Sequence, residues 1–341
     1  MKGLRIGVVG TGHIARVNAM ALVKTGRAEI AALCNHHIEK ARALGADIAP
    51  DARVYADCQS MLEDVRLDAV ILCTPQDVHM RDFIACAKAG VHVMVEKPLA
   101  MNGEQCEQMI LARNAAGIRA AVCHTQRYLA PMMTLKQVVD SGMLGEPVSA
   151  LDVIDMQFFT SVRPAWFYSR ERSGSALLYT HGSHQFDRLM VLLGRHADWV
   201  DAHIEMTDDA LPEAGAPGLD CGYHILGQMG RHAFVIDCGG YSMPLASGVT
   251  LRFTHGTARM VLKETGIEPI GVFVSRNGSA FEAVPLVCSQ EDAYVRQMND
   301  LLNALEGEEN NAPTLEHGLR VMRCLEAAKA SHLQKRRVVC C

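Results

Sequence analysis

The feature that most constrains the fold is a regular alternation of apolar runs and helical stretches between Leu4 and Cys123. The runs are "LRIGVV", "EIAALC", "DAVILC", "VHVMV" and "RAAVC", which are typical of strands covered on both faces. Helices fill the intervals and are predicted to end at Gly45, Gly90 and Gly117, because glycine suits the left-handed cap conformation. This alternation predicts a doubly wound parallel sheet of the α/β class over residues 1–123.

The regular alternation of strands and helices ends after His124. One helix is predicted over Pro131–Asp140, another from His184 to Gly194, and the strand-like run "VSALDVIDMQF" lies between them. Further β segments follow at turn signals, and "TDDALPEAGAPGLD" is predicted to be an exposed loop. We therefore expect an α+β domain with a large, mainly antiparallel open sheet over residues 124–341. Its last two helices are candidates to pack back on the first domain.

Charge and composition exclude several classes of function. The 341 residues carry a net charge of −5 without a long basic run, which argues against nucleic-acid or anionic-membrane partners. The 12 cysteines are scattered and form no CxxC pair, as expected for reduced thiols. The start "MKGLRIGVVG" leaves no room for a signal peptide, and no apolar run reaches membrane-spanning length. These features predict a soluble, cytoplasmic protein.

A glycine turn follows the first predicted strand. "GTGHIA" places Gly10, Gly12 and Ala15 in a G-x-G-x-x-A pattern between a strand and a helix. In that setting the first glycine permits a tight turn, and the second lets the backbone approach a pyrophosphate. The small third residue lets the helix pack closely on the strand. The pattern therefore predicts a dinucleotide site at the N-terminus of the helix.

The end of the second strand bears on the choice of coenzyme. The residue that reads the adenosine ribose lies there and is usually an acid in NAD-binding proteins. This chain has Asn35, followed by His36 and His37, with Lys40 and Arg42 a turn away. Without a carboxylate to repel a 2′-phosphate, both NADP and NAD fit, and the sequence slightly favours NADP. Equally, the two histidines fit an ordinary solvated turn.

Three segments together resemble one family. They are "IGVVGTGHIA", "DAVILCTPQDVHMRDFIACAKAGVHVMVEKPLA" and "GSALLYTHGSHQFDRLMVLLG", and they resemble the Gfo/Idh/MocA family of NAD(P)-dependent oxidoreductases. The resemblance places Lys97, in the E-K-P motif, beside the nicotinamide and the reacting substrate carbon. Pro98 is expected to fix the turn that aims this lysine, with a cis bond as one way to do so. A partly desolvated lysine can exchange the hydroxyl proton when an alcohol is oxidised.

The resemblance also implies a coenzyme-binding set. Thr74 and Pro75 match the family's T-P turn at the edge that lines the coenzyme, and Glu96 is expected to contact the ribose or to orient Lys97. The complete expected set is Gly10, Thr11, Gly12, His13, Ile14, Asn35, His36, Thr74, Pro75, His79, Glu96 and Lys97.

The second half of the expected site lies in the C-terminal domain. The family's D-x-G-x-H motif corresponds to the segment from Thr180 to His184, so the histidine is present and the aspartate is replaced by threonine. The resemblance therefore makes Lys97 and His184 the expected catalytic residues. A zinc site at His181, His184 and Asp187, which recur every three residues, is an alternative that the resemblance makes unnecessary, and we expect no metal.

The substrate-binding residues implied by the resemblance are Lys97, Arg127, Tyr128, Trp166, Thr180 and His184. Arg127 and Tyr128 open the second domain in "HTQRY", although packing is an equal role for them. Trp166 belongs to "SVRPAWFYSRERSG", a segment that lines or covers the pocket in the family and also contains Arg163 and Tyr168. An aromatic side chain there can stack on a sugar or an aromatic ring.

The resulting hypothesis is an oxidoreductase that moves a hydride between nicotinamide C4 and a secondary alcohol or ketone carbon of a sugar or polyol-like small molecule. One alternative substrate class is a cyclic dihydrodiol or an aromatic-acid derivative. The replacement of the acid by Thr180 raises a different alternative, a non-catalytic dinucleotide-binding regulator. By analogy with the fold, we expect a homo-oligomer, dimer or tetramer, formed through the C-terminal sheet.

Overall fold

The computed structural model describes residues 3–160, 163–207, 218–262, 270–289 and 292–340, without the side chains of residues 242–246. Contacts within the chain divide it into two compact units. The first unit joins Met1–Thr125 to Asp292–Leu319, and the second joins Gln126–Glu291 to Arg320–Cys341. Each unit is thus assembled from two separate segments. Most of the predicted loop "TDDALPEAGAPGLD" lies outside the described residues.

Strands and helices alternate between Leu4 and Cys123, as the hydrophobic pattern indicates, with one strand and one helix more than predicted. The strands are β1 Leu4–Val9, β2 Ala28–Cys34, β3 Arg53–Tyr55, β4 Ala69–Leu72, β5 His92–Glu96, β6 Ala120–Cys123, β7 Pro147–Gln157, β8 Trp199–Met206, β9 Asp220–Met229, β10 His232–Gly239, β11 Tyr241–Phe253, β12 Gly256–Val261, β13 Gly271–Arg276, β14 Glu282–Val284 and β15 Val338–Val339. The α-helices are α1 His13–Lys24, α2 Ile38–Ile48, α3 Cys58–Asp64, α4 His79–Lys88, α5 Gly103–Ala116, α6 Ala130–Asp140, α7 Arg170–Ser173, α8 Ser183–Leu193, α9 Ala293–Glu306 and α10 Leu315–Gln334. Among the described residues, no helix is both long and apolar enough to cross a membrane.

A parallel sheet forms the centre of the first unit. Its strand order is β3-β2-β1-β4-β5-β6, and every neighbouring pair is parallel. Helices pack in two groups, since α1 contacts α2 and α9 whereas α4 contacts α3 and α5. The order reverses between β1 and β4, so their carboxyl ends flank the crevice where doubly wound sheets bind ligands. The predicted α/β doubly wound fold is confirmed.

Three local predictions for the first unit were wrong or incomplete. Helix α2 does not end at Gly45 but continues to Ile48, and a Cβ at Gly45 would lie 3.2 Å from Leu33 Cδ1. This glycine therefore serves the close approach of α2 to the sheet rather than a cap. The short elements β3 and α3 were not predicted, because three to seven residues give little periodicity. Strand β5 extends one residue beyond the predicted run "VHVMV" and includes Glu96.

The second unit is built on a nine-stranded sheet. Its order is β14-β13-β12-β11-β7-β10-β9-β8-β15, and within the described part of this sheet only the β7–β10 pair is parallel. The prediction of a large, mainly antiparallel sheet in an α+β domain is therefore confirmed. Helix α8 packs against β7, and α6 packs against β12 and β13.

The opposite face of this sheet carries an apolar row. Leu226, Val235 and Leu151 lie side by side in register on β9, β10 and β7. Leu226 is 48% exposed and Val235 is 38% exposed, whereas their strand neighbours Ile225 and Ile236 are fully buried on the helix-covered side. Because side chains alternate along a strand, these apolar side chains share the other face of the sheet, which the residues that the structure describes leave open.

Candidate active site

The turn between β1 and α1 has the geometry that a dinucleotide phosphate requires. Gly10 has a φ of +93°, and a Cβ there would lie 2.6 Å from the carbonyl oxygen of Cys73, so only glycine fits. Gly12 is the N-cap of α1, and a Cβ there would meet no atom within 4 Å. Helix α1 begins at His13, which is exposed, and continues with Ile14, which is half-buried. Glycine therefore leaves space for a phosphate beside the first N–H groups of the helix.

Asn35 is held at the end of β2 by both atoms of its amide. Its Nδ2 donates to Thr11 Oγ1 at 2.6 Å, and its Oδ1 accepts from the His37 N–H at 2.8 Å. The side chain thus joins the glycine turn to the loop after β2. His36 and His37 are exposed, and their ring centroids lie 4.0 Å apart. At this position the chain presents an amide and two imidazoles in place of the usual carboxylate.

Thr74 and Pro75 form the turn after β4. Thr74 Oγ1 is buried without a hydrogen-bond partner among the described residues, as expected of a hydroxyl that meets a bound coenzyme. His79 is buried, with its Nε2 2.7 Å from the Thr74 carbonyl oxygen and its Nδ1 3.2 Å from the Leu99 carbonyl oxygen. Burial lowers the pKa of His79. This residue ties the turn after β4 to the turn after β5.

Glu96 is buried at the end of β5, directly before Lys97. Its Oε1 accepts from Asn18 Nδ2 at 2.8 Å, and its Oε2 accepts from the Lys97 N–H at 3.2 Å. The Lys97–Pro98 peptide bond is cis. Of the two roles expected for Glu96, this geometry supports the orientation of Lys97, because both carboxylate oxygens are bonded to protein.

Burial also raises the pKa of Glu96, with the nearby Lys97 and the two hydrogen bonds acting in the opposite direction. A raised pKa in the folded state gives stability that is full below the unfolded value of 4.5 and is lost as the pH rises through the folded pKa. Glu96→Gln removes this titration. We therefore expect the variant to be less stable than the wild type at pH 5 and the difference in free energy of unfolding to shrink at pH 8.

Urea unfolding at the two pH values measures this difference. Asp57→Asn is the matched control, since Asp57 caps α3 through the Ser60 N–H and its pKa is lowered by bonds to Ser60. Its titration lies below this pH range, so its effect should be equal at pH 5 and pH 8. A Glu96→Gln penalty that is constant or grows with pH would contradict the expected titration.

In the second unit, a π-helical turn over Leu178–Gly182 runs directly into α8. Between residues 175 and 190 every residue is buried except Thr180, His181 and His184, which are partly exposed. Of the four polar side chains that the sequence singled out in this segment, these three are presented outward, whereas Asp187 is buried. Wide turns of this kind occur frequently at functional sites.

Thr180 occupies the aspartate position of the motif and makes a bond that aspartate cannot make. Its Oγ1 donates to the Ala176 carbonyl oxygen at 2.5 Å. A carboxylate would accept rather than donate, and would repel that carbonyl. The ring of His181 stands edge-on to Phe158, with centroids 5.8 Å apart. His184 is consequently the residue of this motif best suited to acid/base chemistry.

Asp187 is fully buried and ion-paired with Arg127. Its Oδ1 accepts from Arg127 Nε at 2.8 Å and from Nη2 at 2.6 Å. Among the described residues, His181, His184 and Asp187 do not bring three ligand atoms together as one metal site needs. Arg127 thus anchors the start of the second unit to α8. The neighbouring Tyr128 is 8% exposed, which agrees with the packing role left open for it.

The segment after β7 forms an aromatic cluster. Trp166 stacks on Phe167 at 3.9 Å between centroids. The guanidinium of Arg163 lies 4.2 Å from the Phe158 ring centroid, and its Nε donates to the Phe158 carbonyl oxygen at 2.7 Å. Tyr168 Oη donates to the Thr160 carbonyl oxygen at 2.9 Å. Trp166 is partly exposed and remains the residue of this cluster expected to face a ligand.

Several polar residues that organise these sites were not predicted. Asn18 is fully buried in α1 and reaches Glu96, and its only sequence signal is a polar side chain on the apolar face of a helix. Asp152 and Arg188 form a fully buried ion pair in the second unit, and Gln185 bonds to the same aspartate at 3.1 Å. Nothing in the sequence joins these residues, since Asp152, on a strand, lies 33 and 36 positions from its two partners on a helix.

The fold and the glycine turn are those of a dinucleotide-binding protein. Two family models match the chain, namely the oxidoreductase family's NAD-binding Rossmann fold over residues 4–124 and its C-terminal alpha/beta domain over residues 136–340. The chain belongs to the Gfo/Idh/MocA oxidoreductase family, as the sequence motifs indicated.

Individual relatives share parts of the chain. D-glucoside 3-dehydrogenase of Escherichia coli K12 is 31% identical over 201 residues, which are 56% of this chain and 54% of the relative. The scyllo-inositol 2-dehydrogenase (NADP⁺) IolW of Bacillus subtilis 168 is 31% identical over 147 residues, 42% of this chain and 40% of the relative. This chain therefore spans about half the length of these two curated relatives. The crystal structure of an NAD binding oxidoreductase from Klebsiella pneumoniae superposes with a TM-score of 0.87 at 22% identity, covering 99% of both chains.

Proposed function

We propose that the protein is an NAD(P)-dependent dehydrogenase or reductase that acts on a secondary alcohol or ketone carbon of a sugar or polyol. The observation that carries this proposal is the arrangement at the carboxyl ends of β1, β4 and β5. The glycine turn, the buried Thr74 hydroxyl and the Glu96–Lys97 turn all lie at that edge of one sheet. The names of the two curated relatives, a glucoside dehydrogenase and an inositol dehydrogenase, support the substrate class.

In the proposed mechanism the coenzyme, when bound, supplies the hydride acceptor or donor at its nicotinamide ring. The glycine turn holds the pyrophosphate at the N-terminus of α1, and the Thr74 hydroxyl contacts the coenzyme at the end of β4. Lys97 and His184 handle the proton of the substrate hydroxyl, accepting it on oxidation and returning it on reduction. Glu96 holds the Lys97 backbone, while Trp166 and Thr180 contact the substrate.

The proposal includes a preference for NADP over NAD. It is supported by Asn35 at the position usually taken by an acid, and by the exposed His36 and His37 beside it. A fluorescence titration with NADPH and NADH tests both binding and preference. Asn35→Asp is the matched variant, since it restores the carboxylate and should shift affinity toward NADH. Equal or tighter binding of NADH by the wild type would overturn the preference, and binding of neither coenzyme would overturn the function.

A substrate screen completes the test. Purified protein is assayed with NADP⁺ and NAD⁺ against sugars and inositols on one side and cyclic dihydrodiols on the other. Turnover of polyols supports the proposal. Turnover of dihydrodiols alone would mean that the same proposed catalytic residues act on that substrate class instead. Coenzyme binding without turnover of any alcohol would favour the regulator alternative, which the threonine at position 180 motivates.

We also propose a homo-oligomer formed through the open face of the C-terminal sheet. The apolar row of Leu226, Val235 and Leu151 supports this interface, because an exposed apolar patch on a sheet favours burial against a second copy. Val235→Lys should convert the assembly to a monomer that keeps the fold and coenzyme binding. Light scattering at micromolar concentration measures the mass.

Val23→Lys is the control for this interface, since Val23 is 45% exposed on α1 in the first unit. It should leave the mass unchanged. A wild-type protein that scatters as a monomer would refute the proposed interface.

We also propose a cytoplasmic location, which is supported by the free thiols of the described cysteines.

A further inference from the structure

A buried carboxylate from a distant strand caps the helical segment that carries His184. Asp220, the first residue of β9, is 4% exposed. Its Oδ1 accepts from the Ala176 N–H at 2.6 Å, and its Oδ2 accepts from the N–H groups of Leu177 at 2.8 Å and Leu178 at 2.6 Å. Helix starts are usually capped by a neighbouring side chain. Here one residue, more than forty positions away in sequence, satisfies three of the first N–H groups.

The same segment is fixed at a second point, immediately after His184. Gln185 Nε2 donates to the Asp152 carbonyl oxygen at 3.1 Å and to the Asp237 carbonyl oxygen at 3.0 Å. Its Oε1 accepts from Tyr223 Oη at 2.6 Å. Asp152, Asp237 and Tyr223 stand on the neighbouring strands β7, β10 and β9. A single buried amide therefore joins the helix to three strands of the sheet.

Between these two fixed points lies the π-helical turn. A π turn contains one residue more per turn than an α-helix and is rarely stable by itself. The segment between Leu178 and Gln185 is held at both ends, so the wide turn must be accommodated there, where Thr180, His181 and His184 are partly exposed. Gly182 lies on the inner side of the turn, where a Cβ would come within 3.1 Å of Leu178 and Leu325 side chains. The bonds to Asp220 and Gln185, which together form a clamp on this segment, and the glycine fix which side chains face outward.

We propose that Asp220 is a positioning residue, which holds the π-helical turn and thereby sets the position of His184. This inference rests on the proposed function for its catalytic consequence, but the position of the imidazole can be measured without turnover. A displacement of an acid/base group by about 1 Å can cost roughly 10²-fold in rate. Removal of the Asp220 carboxylate should accordingly displace the His184 imidazole, although the two side chains belong to different elements.

The test uses Asp220→Asn in the full chain. Asparagine keeps the shape but faces one of the three N–H groups with an NH₂ donor, so the clamp loosens. We expect the imidazole signal of His184 in a spectrum of ¹³C-histidine-labelled protein, assigned with His184→Gln, to move. We also expect kcat to fall by roughly 10- to 100-fold with the coenzyme Kd unchanged. Tyr223→Phe is a milder second variant, which removes the hydroxyl that donates to Gln185 and should also move the His184 signal.

Asp57→Asn is the control, because it removes a carboxylate cap from α3, a helix that carries no proposed site residue. It should leave both the His184 signal and kcat unchanged. A His184 signal that stays in place in both Asp220→Asn and Tyr223→Phe would overturn the inference. A moved signal with an unchanged kcat would keep the positioning role and contradict the proposed catalytic role of His184.

Discussion

Replacement of Lys97 by methionine is expected to lower kcat by roughly 10³-fold, because general acid/base catalysis typically contributes 10²- to 10⁴-fold. Methionine keeps an unbranched side chain of similar length but carries no exchangeable proton. The coenzyme phosphates bind at the glycine turn in the proposed site, so the Kd for NADPH or NADH should stay within about twofold. Steady-state turnover on the substrate found by the screen gives kcat, and nicotinamide fluorescence gives the Kd.

Two further variants separate proton transfer from simple charge. Lys88→Met changes an exposed lysine at the end of α4 in the same unit and should leave both constants unchanged. Lys97→Arg keeps the positive charge, but a guanidinium does not give up its proton, so turnover should remain low. Wild-type kcat in Lys97→Met would remove this lysine from the chemistry. Loss of coenzyme binding instead of turnover would make it a binding residue.

Gly10→Ala is expected to have the largest effect on the first unit. The residue has a φ of +93°, and the added Cβ would lie 2.6 Å from the Cys73 carbonyl oxygen and 2.7 Å from its carbon. These are backbone atoms at the end of the central strand β4, so they cannot move aside. We expect the free energy of unfolding to fall by about 3 kcal/mol or more, with loss of coenzyme binding.

Variants at two other glycines separate the causes of this effect, which are backbone strain, steric contact and loss of the phosphate space. Gly90 also has a positive φ, +70°, but a Cβ there would meet no atom within 4 Å. Gly90→Ala should therefore cost only about 1 kcal/mol, the strain of a left-handed residue. Gly12→Ala should fold like the wild type and bind the coenzyme more weakly, because the new methyl group projects into the phosphate space. Equal stability of the Gly10 and Gly90 variants would show that the close contact at Gly10 is relieved.

The parts of the site that the sequence predicted are those encoded within a few residues. The turn of Gly10 and Gly12 follows from its place between a strand and a helix, whereas the role expected for Lys97 came from the family resemblance of its E-K-P motif. Local patterns also gave the doubly wound sheet, since strands and helices alternate at a regular spacing. The family resemblance extended this to His184, which no periodicity would have marked as functional.

Long-range contacts explain what the sequence could not predict. Asp220 bonds to N–H groups 42 to 44 positions away, and Gln185 bonds to atoms 33 to 52 positions away. Polar side chains of this kind are normally expected on the surface. Their burial becomes intelligible only when the fold brings the strand and the helix together. The π-helical turn was likewise invisible, because one extra residue barely disturbs the hydrophobic pattern.

The return of the chain to the first unit has a consequence for biosynthesis. Met298, Leu301 and Leu305 of α9 are buried in the same apolar core as Ile6 and Val8. The edge strand β6 is also completed late, since the Val122 N–H donates to the Pro313 carbonyl oxygen at 2.8 Å. A nascent chain that has emerged only as far as Thr125 therefore lacks part of its own core. N-terminal domains generally fold first during synthesis, but here the first unit must wait until most of the polypeptide has left the ribosome.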